Sequence, residues 1–354
     1  MMLDDYLPIR VNQGRWVTAY TLDRLRAFRD LQFVLPICSI GTPYADCERL
    51  GELVLPPLFH EALDDPLKQS LVKRIGECFP EYGQGNSPRL KVVELPPVET
   101  LVETLVGRSE RTKTILAFSV DTAVEEHGPH LPLATDTIQS YSILREVARE
   151  FPAIEICRPL EYGQLTWGLP FGHSIDVTAE LLKRYVTGYA NALVRWKRPD
   201  ALYVVDVHGS ITHRGAIVDG LNQSRCDAWT FRWLHEPLAE FATERGDQHA
   251  GGVETALVER VSRDLLDPDW WPDRIDEIAM GQMSFARAVE LTSDLPAFTE
   301  HVRRYALNGI IGDIRNYHAL DADQLFDRMM AIARRDVTDL LAGKTSRTAG
   351  EILW

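Results

Sequence analysis

The sequence predicts an α/β fold, a mostly parallel β-sheet with helices packed on both sides. Strand-like and helix-like patterns alternate over most of the 354 residues. Ala201–Val207 (ALYVVDV) is an apolar stretch broken only by Asp206, as suits a strand buried on both faces. Thr178–Trp196 carries Leu181, Leu182, Tyr185, Val186, Tyr189 and Leu193 on one side at helical spacing.

In chain order, Leu22–Leu31 reads as a helix and Phe33–Cys38 as a strand. Val54–Leu58 (VLPPL) and Gly83–Pro88 (GQGNSP) are loop-like, and the second is the best linker candidate. Thr112–Val120 ends in a short run of β-compatible residues, Asp136–Arg149 has helical spacing, and Ala153–Cys157 is a short strand. After the Thr178–Trp196 helix and the Ala201–Val207 strand, Ile211–Gln223, Gly252–Leu265 and Ala322–Leu341 read as helices. In such folds the chemistry sits at the carboxyl ends of the strands.

Composition narrows the function. Lys and Arg total 38 against 52 Asp and Glu, a formal charge of −14, which argues against a cationic surface facing nucleic-acid phosphate. A hydrophobic share of 45% with 25% charged residues fits a globular protein with a real core. No apolar run approaches the roughly 18 residues of a membrane helix, and the acidic N-terminus lacks the order of a secretory signal. Cys38, Cys47, Cys78, Cys157 and Cys226 include no CxxC pair, so they read as free thiols in a reducing compartment, and a cytoplasmic protein is expected.

The densest chemistry is Val124–Asp136 (VEEHGPHLPLATD), directly after a predicted strand. Gly128, Pro129 and Pro132 prevent a helix there, leaving a shaped loop. Glu125 and His127 lie two apart and would project together from extended backbone, while Asp136 returns at the start of the next helix. Imidazole plus carboxylate is a ligand set for zinc, manganese or iron. The same residues also suit a polar loop with Asp136 as a helix cap. A second group, Asp206-Val207-His208-Gly209, ends the Ala201–Val207 strand, where a parallel sheet places its active site. His208 there is either a site group or a histidine bonded to a neighbour. A third group, His249–Thr255 (HAGGVET), leads into a helix with Glu254 in its first turn, as ligand or as cap.

Other templates fail: the chain has no HExxH, no phosphate loop ending in GK[ST], no GxGxxG after a strand and no GxSxG. His60, His173, His213, His235, His301 and His318 stand singly and read as structural or surface residues. Trp270 and Trp271 suit either the lining of a pocket or, as the favoured reading, a loop packing two aromatics onto the core.

Together these segments resemble the creatininase (creatinine amidohydrolase) family. Glu125–Asp136 matches its pattern of glutamate, any residue, His-Gly-Pro-His-Leu-Pro-Leu, then Thr-Asp. Gly168–Leu182 resembles the stretch before the family's long helix, and Asp206–Gly209 stands where the family has Asn-Gly-His-Gly. His249–Ala256 resembles its HAGEIETS segment, and Asn308–Asp313 (NGIIGD) its glycine-rich turn. The resemblance runs from about Val92 to Leu341, which divides the chain into an N-terminal extension, 1–91, and a creatininase-like domain, 92–345.

The resemblance implies a three-layer α/β/α domain with one or two divalent ions (Zn, Mn or Fe) that hydrolyses carbon–nitrogen bonds. By position Glu125, His127, Asp136 and His208 would be metal ligands, with Asp136 bridging. His249 would be a group near the site that orients substrate or water. The chain departs from the pattern where the family has a further glutamate, at Ser210 and Gly252. Glu126, Asp206 or Glu254 would then complete the set, with Glu254 favoured because a helix start can point it inward. The implied catalytic groups are His249, Glu254 and Glu126. The expected substrate is a small amide, cyclic amide or short peptide, with no nucleic-acid or membrane partner, and homo-oligomers are expected by resemblance. Two alternatives stay open: a relative that only binds a small molecule or partner, and a biosynthetic peptidase of the mycofactocin-processing type.

Overall fold

A computed structural model describes residues 16–26, 32–51, 53–78, 89–98, 113–270, 273–305, 307–315 and 317–345. The linker candidate Gly83–Pro88, Trp271 and the second half of the predicted Leu22–Leu31 helix lie outside the described residues. Among the described residues no helix is long and apolar enough to cross a membrane.

The N-terminal part begins with α1 (Leu22–Arg26), β1 (Gln32–Cys38) and α2 (Tyr44–Glu48). β2 (Leu53–Val54), β3 (Leu58–Phe59), α3 (Asp65–Cys78) and β4 (Arg89–Glu94) follow. β1 pairs in parallel with β2 at Phe33 and Val34, with β3 at Ile37 and Cys38, and with β4 from Gln32 to Ile37. The VLPPL stretch, which reads as a loop, is therefore a loop flanked by two strands of two residues each. They are too short and proline-rich for a periodicity to show.

The central sheet has the order β6-β5-β7-β8, every pair parallel. It is built from β5 (Ile115–Ser119), α4 (Thr135–Glu150), β6 (Ile154–Ile156), α5 (Ala179–Lys197), β7 (Ala201–Asp206), α6 (Ile211–Gln223) and β8 (Trp229–Trp233). β5 and β7 are buried at every residue, which is why they read as continuous apolar runs. Thr178 caps α5 by accepting a hydrogen bond from the Leu181 N–H. α7 (Ala239–Arg245), α8 (Gly252–Val261), α9 (Ile275–Met280), α10 (Phe285–Leu291), α11 (Leu295–Tyr305) and α12 (Ala322–Leu341) complete the chain. The predicted Gly252–Leu265 helix stops at Val261, and Arg263–Leu265 forms a separate 3₁₀ turn started by the Ser262 side chain.

α4, α8 and α12 cover one face of this sheet, and α5 and α6 the other, so the domain is a three-layer α/β/α sandwich. Tyr189 of α5 lies between the two sheets, with ring centroids 5.0 Å from Phe118 of β5 and 5.4 Å from Phe59 of β3. Gly188 lets α5 approach the 60–62 turn, since a Cβ there would stand 2.0 Å from the Ala62 carbonyl oxygen. One continuous hydrophobic core thus joins both sheets.

The chain leaves β5 for β6 on one side and reaches β7 and β8 on the other. The order reverses between β5 and β7, and a crevice opens at the carboxyl ends of strands at such a point. The loops after β5 and β7 are those that carry Glu125 and His208. The N-terminal segment braces the first of them: Leu133 N–H donates to the Tyr20 carbonyl and Ala134 N–H to that of Thr18, each at 3.1 Å.

Candidate metal centre

Beyond β5 the chain stays pinned to the strand-like 160–163 segment. Asp121 N–H donates to the Leu160 carbonyl and Ala123 N–H to that of Glu161, each at 3.0 Å. The loop then turns so that Glu125, His127 and Asp136 converge, all three buried, with ligand atoms within 4.8 Å of one another. Asp136 sits in the first turn of α4, where the helix dipole favours a carboxylate. Thr122 Oγ1 lies 2.6 Å from Asp136 Oδ2 and also touches Glu125 Oε2, holding the two carboxylates side by side.

Each imidazole in the cluster has one nitrogen occupied and the other turned inward. His127 Nδ1 lies 3.1 Å from the Glu125 carbonyl, a contact it makes as donor, and its Nε2 stands 3.4 Å from Asp136 Oδ1. That buried Nε2 has no hydrogen-bond partner. His208 Nε2 meets the Gln164 carbonyl at 3.1 Å, leaving Nδ1 at 3.2 Å from Glu125 Oε2 and 3.4 Å from Asp136 Oδ2. A backbone carbonyl that takes one ring N–H fixes the tautomer and leaves the other nitrogen's lone pair for a metal. The two oxygens of Asp136 face different histidines, the arrangement of a carboxylate between two cations. Ligands at about 2.0–2.2 Å from a tetrahedral ion stand about 3.4 Å apart, so the observed spacings suit shared ions.

The electrostatics agree. Burial raises Glu125, but the His208 imidazolium outweighs it and holds the carboxyl at about 2. Burial lowers His127, yet Asp136 and then Glu254 pull it up to about 10. Asp136 is held well below, and His208 well above, their ordinary values by the same pairs against burial. A site that keeps two buried imidazoles protonated is a strong cation attractor, and a divalent ion can take the place of those protons. The donor set fits such an ion.

The third sequence group joins the cluster from α8. Ile311 exchanges backbone hydrogen bonds of 2.9 Å with His249 in both directions, so the NGIIGD turn positions that histidine. His249 Nε2 meets the Glu126 carbonyl at 2.8 Å, and its ring lies 4.4 Å from that of His127. His127, His249 and Glu254 form a second convergent group. Burial pushes Glu254 up to about 7 against the pull of His127, while its Oε2 accepts the Ala250 N–H at 2.6 Å. Glu126 turns the other way, its Oε2 3.5 Å from His173 Nδ1. Gly309, at φ +79°, gives it space, since a Cβ there would lie 3.0–3.3 Å from the Glu126 side chain. Asp206 lies beneath the site, its Oδ1 accepting the His208 N–H at 2.8 Å. Of the two positions where the sequence departs from the family, Ser210 caps α6 and donates to Gln164 Oε1 at 2.7 Å, while Gly252 opens α8.

The other nearby histidines are structural. His213 donates from Nε2 to the Val120 carbonyl, His130 meets Thr255 Oγ1, and burial pushes both down to about 3. Sequence reasoning missed Thr122, Gln164 and His173. Thr122 directly precedes the motif, whereas Gln164 acts through a carbonyl that no side-chain pattern reveals. A pocket of about 370 Å³ opens beside Glu126, lined by Leu22, Pro129, Phe171, Arg303 and Asn308 among others. Phe171 stacks on His249 at 6.5 Å and 14°, so the pocket abuts the candidate centre.

A family model described as Creatininase: Creatinine amidohydrolase matches residues 109–335. The mycofactocin precursor peptide peptidase of Mycobacterium ulcerans (strain Agy99) is 26% identical over 219 residues, covering 59% of this chain and 78% of that protein. Its counterpart in Mycolicibacterium smegmatis is 24% identical over 217 residues, with the same coverage of 59% and 78%. Among solved structures, a creatinine amidohydrolase (creatininase) superposes with a TM-score of 0.48 at 14% identity, covering 64% of this chain and 90% of that one.

Proposed function

The chain belongs to the creatininase family of hydrolases acting on carbon–nitrogen bonds, and from that premise we propose that it is a divalent-cation-dependent amidohydrolase acting on a short peptide. The observation that carries this reading is Asp136 facing His127 with one oxygen and His208 with the other, each imidazole oriented by a backbone carbonyl. Glu125, His208 and Asp136 Oδ2 would hold one ion. His127 and Asp136 Oδ1 would hold a second, with Glu254 in place of the family's missing glutamate. A bound divalent cation supplies Lewis acidity toward the scissile carbonyl and makes water nucleophilic near neutral pH.

The remaining steps fall to side chains of this protein. His249 keeps its Nε2–H on the Glu126 carbonyl, so Nδ1 is an acceptor that can orient the attacking water or a substrate N–H. Glu126 lines the pocket with His173 Nδ1 3.5 Å from its Oε2, so its carboxylate can hold or move a proton at the leaving nitrogen. Arg303 and Asn308 on the pocket's lining can hydrogen-bond a peptide backbone, and the peptide peptidases among the relatives favour the same class.

The test is metal analysis by mass spectrometry after dialysis against manganese or zinc, paired with hydrolysis of a short-peptide panel. One to two equivalents of metal and metal-dependent cleavage are expected. Less than about a tenth of an equivalent, with these ligands intact, would refute the reading.

A further inference from the structure

Arg158 lies just after β6, and its side chain is buried. Its Nη1 donates to the Thr42 carbonyl at 2.9 Å and stands 3.9 Å from Cys38 Sγ. The guanidinium carbon is 3.7 Å from the centroid of the Tyr44 ring. Nε and Nη2 have no hydrogen-bond partner. Among the described residues no carboxylate forms an ion pair with this guanidinium, although Glu161 is close enough to act on Tyr44. A buried cation needs a counter-charge.

The acids facing it are Tyr44, Cys38 and Cys47. Burial pushes the Tyr44 phenol up, so it stays neutral. Beside the guanidinium lie two buried thiols, whose sulfurs are 3.8 Å apart, at the end of β1 and on the five-residue helix α2. The separation exceeds a bonded pair by only about 1.8 Å. The Cys38 thiol beside it brings Cys47 down to about 7 against burial, and Arg158 acts in the same direction.

We propose that Cys38 and Cys47, with their sulfurs side by side next to the buried Arg158 guanidinium, form a redox-active dithiol that hydroperoxides convert to a reversible disulfide. The Cys47 thiolate attacks the distal oxygen of the hydroperoxide, forming an S–O bond as the O–O bond breaks. The released alkoxide or hydroxide takes a proton from solvent. Sulfur loses two electrons and the peroxide gains them. The Cys38 thiol then attacks the sulfenic sulfur, the S–S bond forms, and the displaced hydroxide leaves with the thiol proton as water. Oxidation removes the counter-charge of Arg158, so the guanidinium resists it in proportion to its burial and favours re-reduction. This site shares none of the residues of the candidate metal centre and does not depend on the proposed hydrolase activity.

The experiment treats the full-length protein with hydrogen peroxide, alkylates it in denaturant, and maps peptides with and without dithiothreitol. The expected result is a mass loss of about 2 Da, for two hydrogens, a linked Cys38–Cys47 peptide, and recovery of both thiols on reduction. Cys47→Ser should abolish the linkage and leave Cys38 unoxidised. Arg158→Lys should retain the linkage, while Arg158→Met should slow its formation at least about tenfold, since the thiolate loses its cation. Full alkylation of both cysteines after peroxide, or a linkage through Cys78, Cys157 or Cys226 instead, overturns the proposal. These readouts come from wild-type protein and stand even where Arg158→Met does not fold.

Discussion

His127 Nε2 stands 3.4 Å from Asp136 Oδ1 without a hydrogen bond between them, although both groups are buried. The imidazole is held back by its other nitrogen, which meets the Glu125 carbonyl. The two groups are thus oriented toward a common point between them, and that point defines what removing either one should do.

Asp136→Ala takes away the side chain that faces His127 with one oxygen and His208 with the other, so it should empty both cation positions together. Metal content should drop below about a tenth of an equivalent, and hydrolysis by more than about a hundredfold, beyond what loss of a supporting partner costs. Inductively coupled plasma mass spectrometry on the purified variant, with circular dichroism to establish folding, measures this. Retention of a full equivalent would show that Asp136 is only a first-turn carboxylate of α4, whose N-cap is Ala134, and no ligand.

Glu254→Ala tests the substitute for the missing family glutamate. If Glu254 closes the set around His127, the variant should keep about one equivalent of metal and lose the second. Titration calorimetry with manganese should then show one site where the wild type shows two. Unchanged two-site binding would return Glu254 to the role of a carboxylate that accepts the Ala250 N–H.

Metal affinity should rise with pH. In the metal-free protein His127 is pulled up to about 10 and His208 is well above its ordinary value, so both carry protons near neutrality that a cation must displace. Binding constants measured between pH 6 and 8 should therefore rise by about one to two decades per pH unit. A pH-independent constant would mean that the imidazoles are not ligands.

The metal-free fold has its own pH signature. His127, raised from 6.5 to about 10, contributes stability that is fully present below 6.5 and lost as pH rises toward 10. Glu125, lowered from 4.5 to about 2, contributes above 4.5 and loses its contribution as pH falls toward 2. His130 and His213, pushed down from 6.5 to about 3, lose stability as pH falls below 6.5, so urea midpoints of chelator-treated protein should be highest near pH 6.5 and fall on either side. Added metal should move the optimum to higher pH, because the cation replaces the imidazole protons.

Gly188→Ala probes the seam between the two sheets. The added Cβ would meet the Ala62 carbonyl oxygen at 2.0 Å, so α5 or the 60–62 turn must shift. The expected cost is about 1–3 kcal/mol, read as a lower thermal midpoint with metal content unchanged. A neutral result would show that the N-terminal sheet adjusts independently of the central one.

The central sheet was legible in the sequence because β5 and β7 are buried on both faces and long helices separate the strands. The apolar run and the helical period survive in any short window. β8 escaped because its burial fades along WTFRW, and β2 and β3 because two residues carry no period. By itself the sequence determined the residues that converge after β5 and β7, since motif order and strand ends are local properties. Only the tertiary structure decided how Asp136 divides its oxygens between His127 and His208, that the Gln164 carbonyl turns His208 inward, and that Tyr20 and Thr18 brace the loop. Those relations join atoms far apart in the chain through backbone carbonyls, which every residue type carries. Packing across the reversal between β5 and β7 selects which of them point into the site.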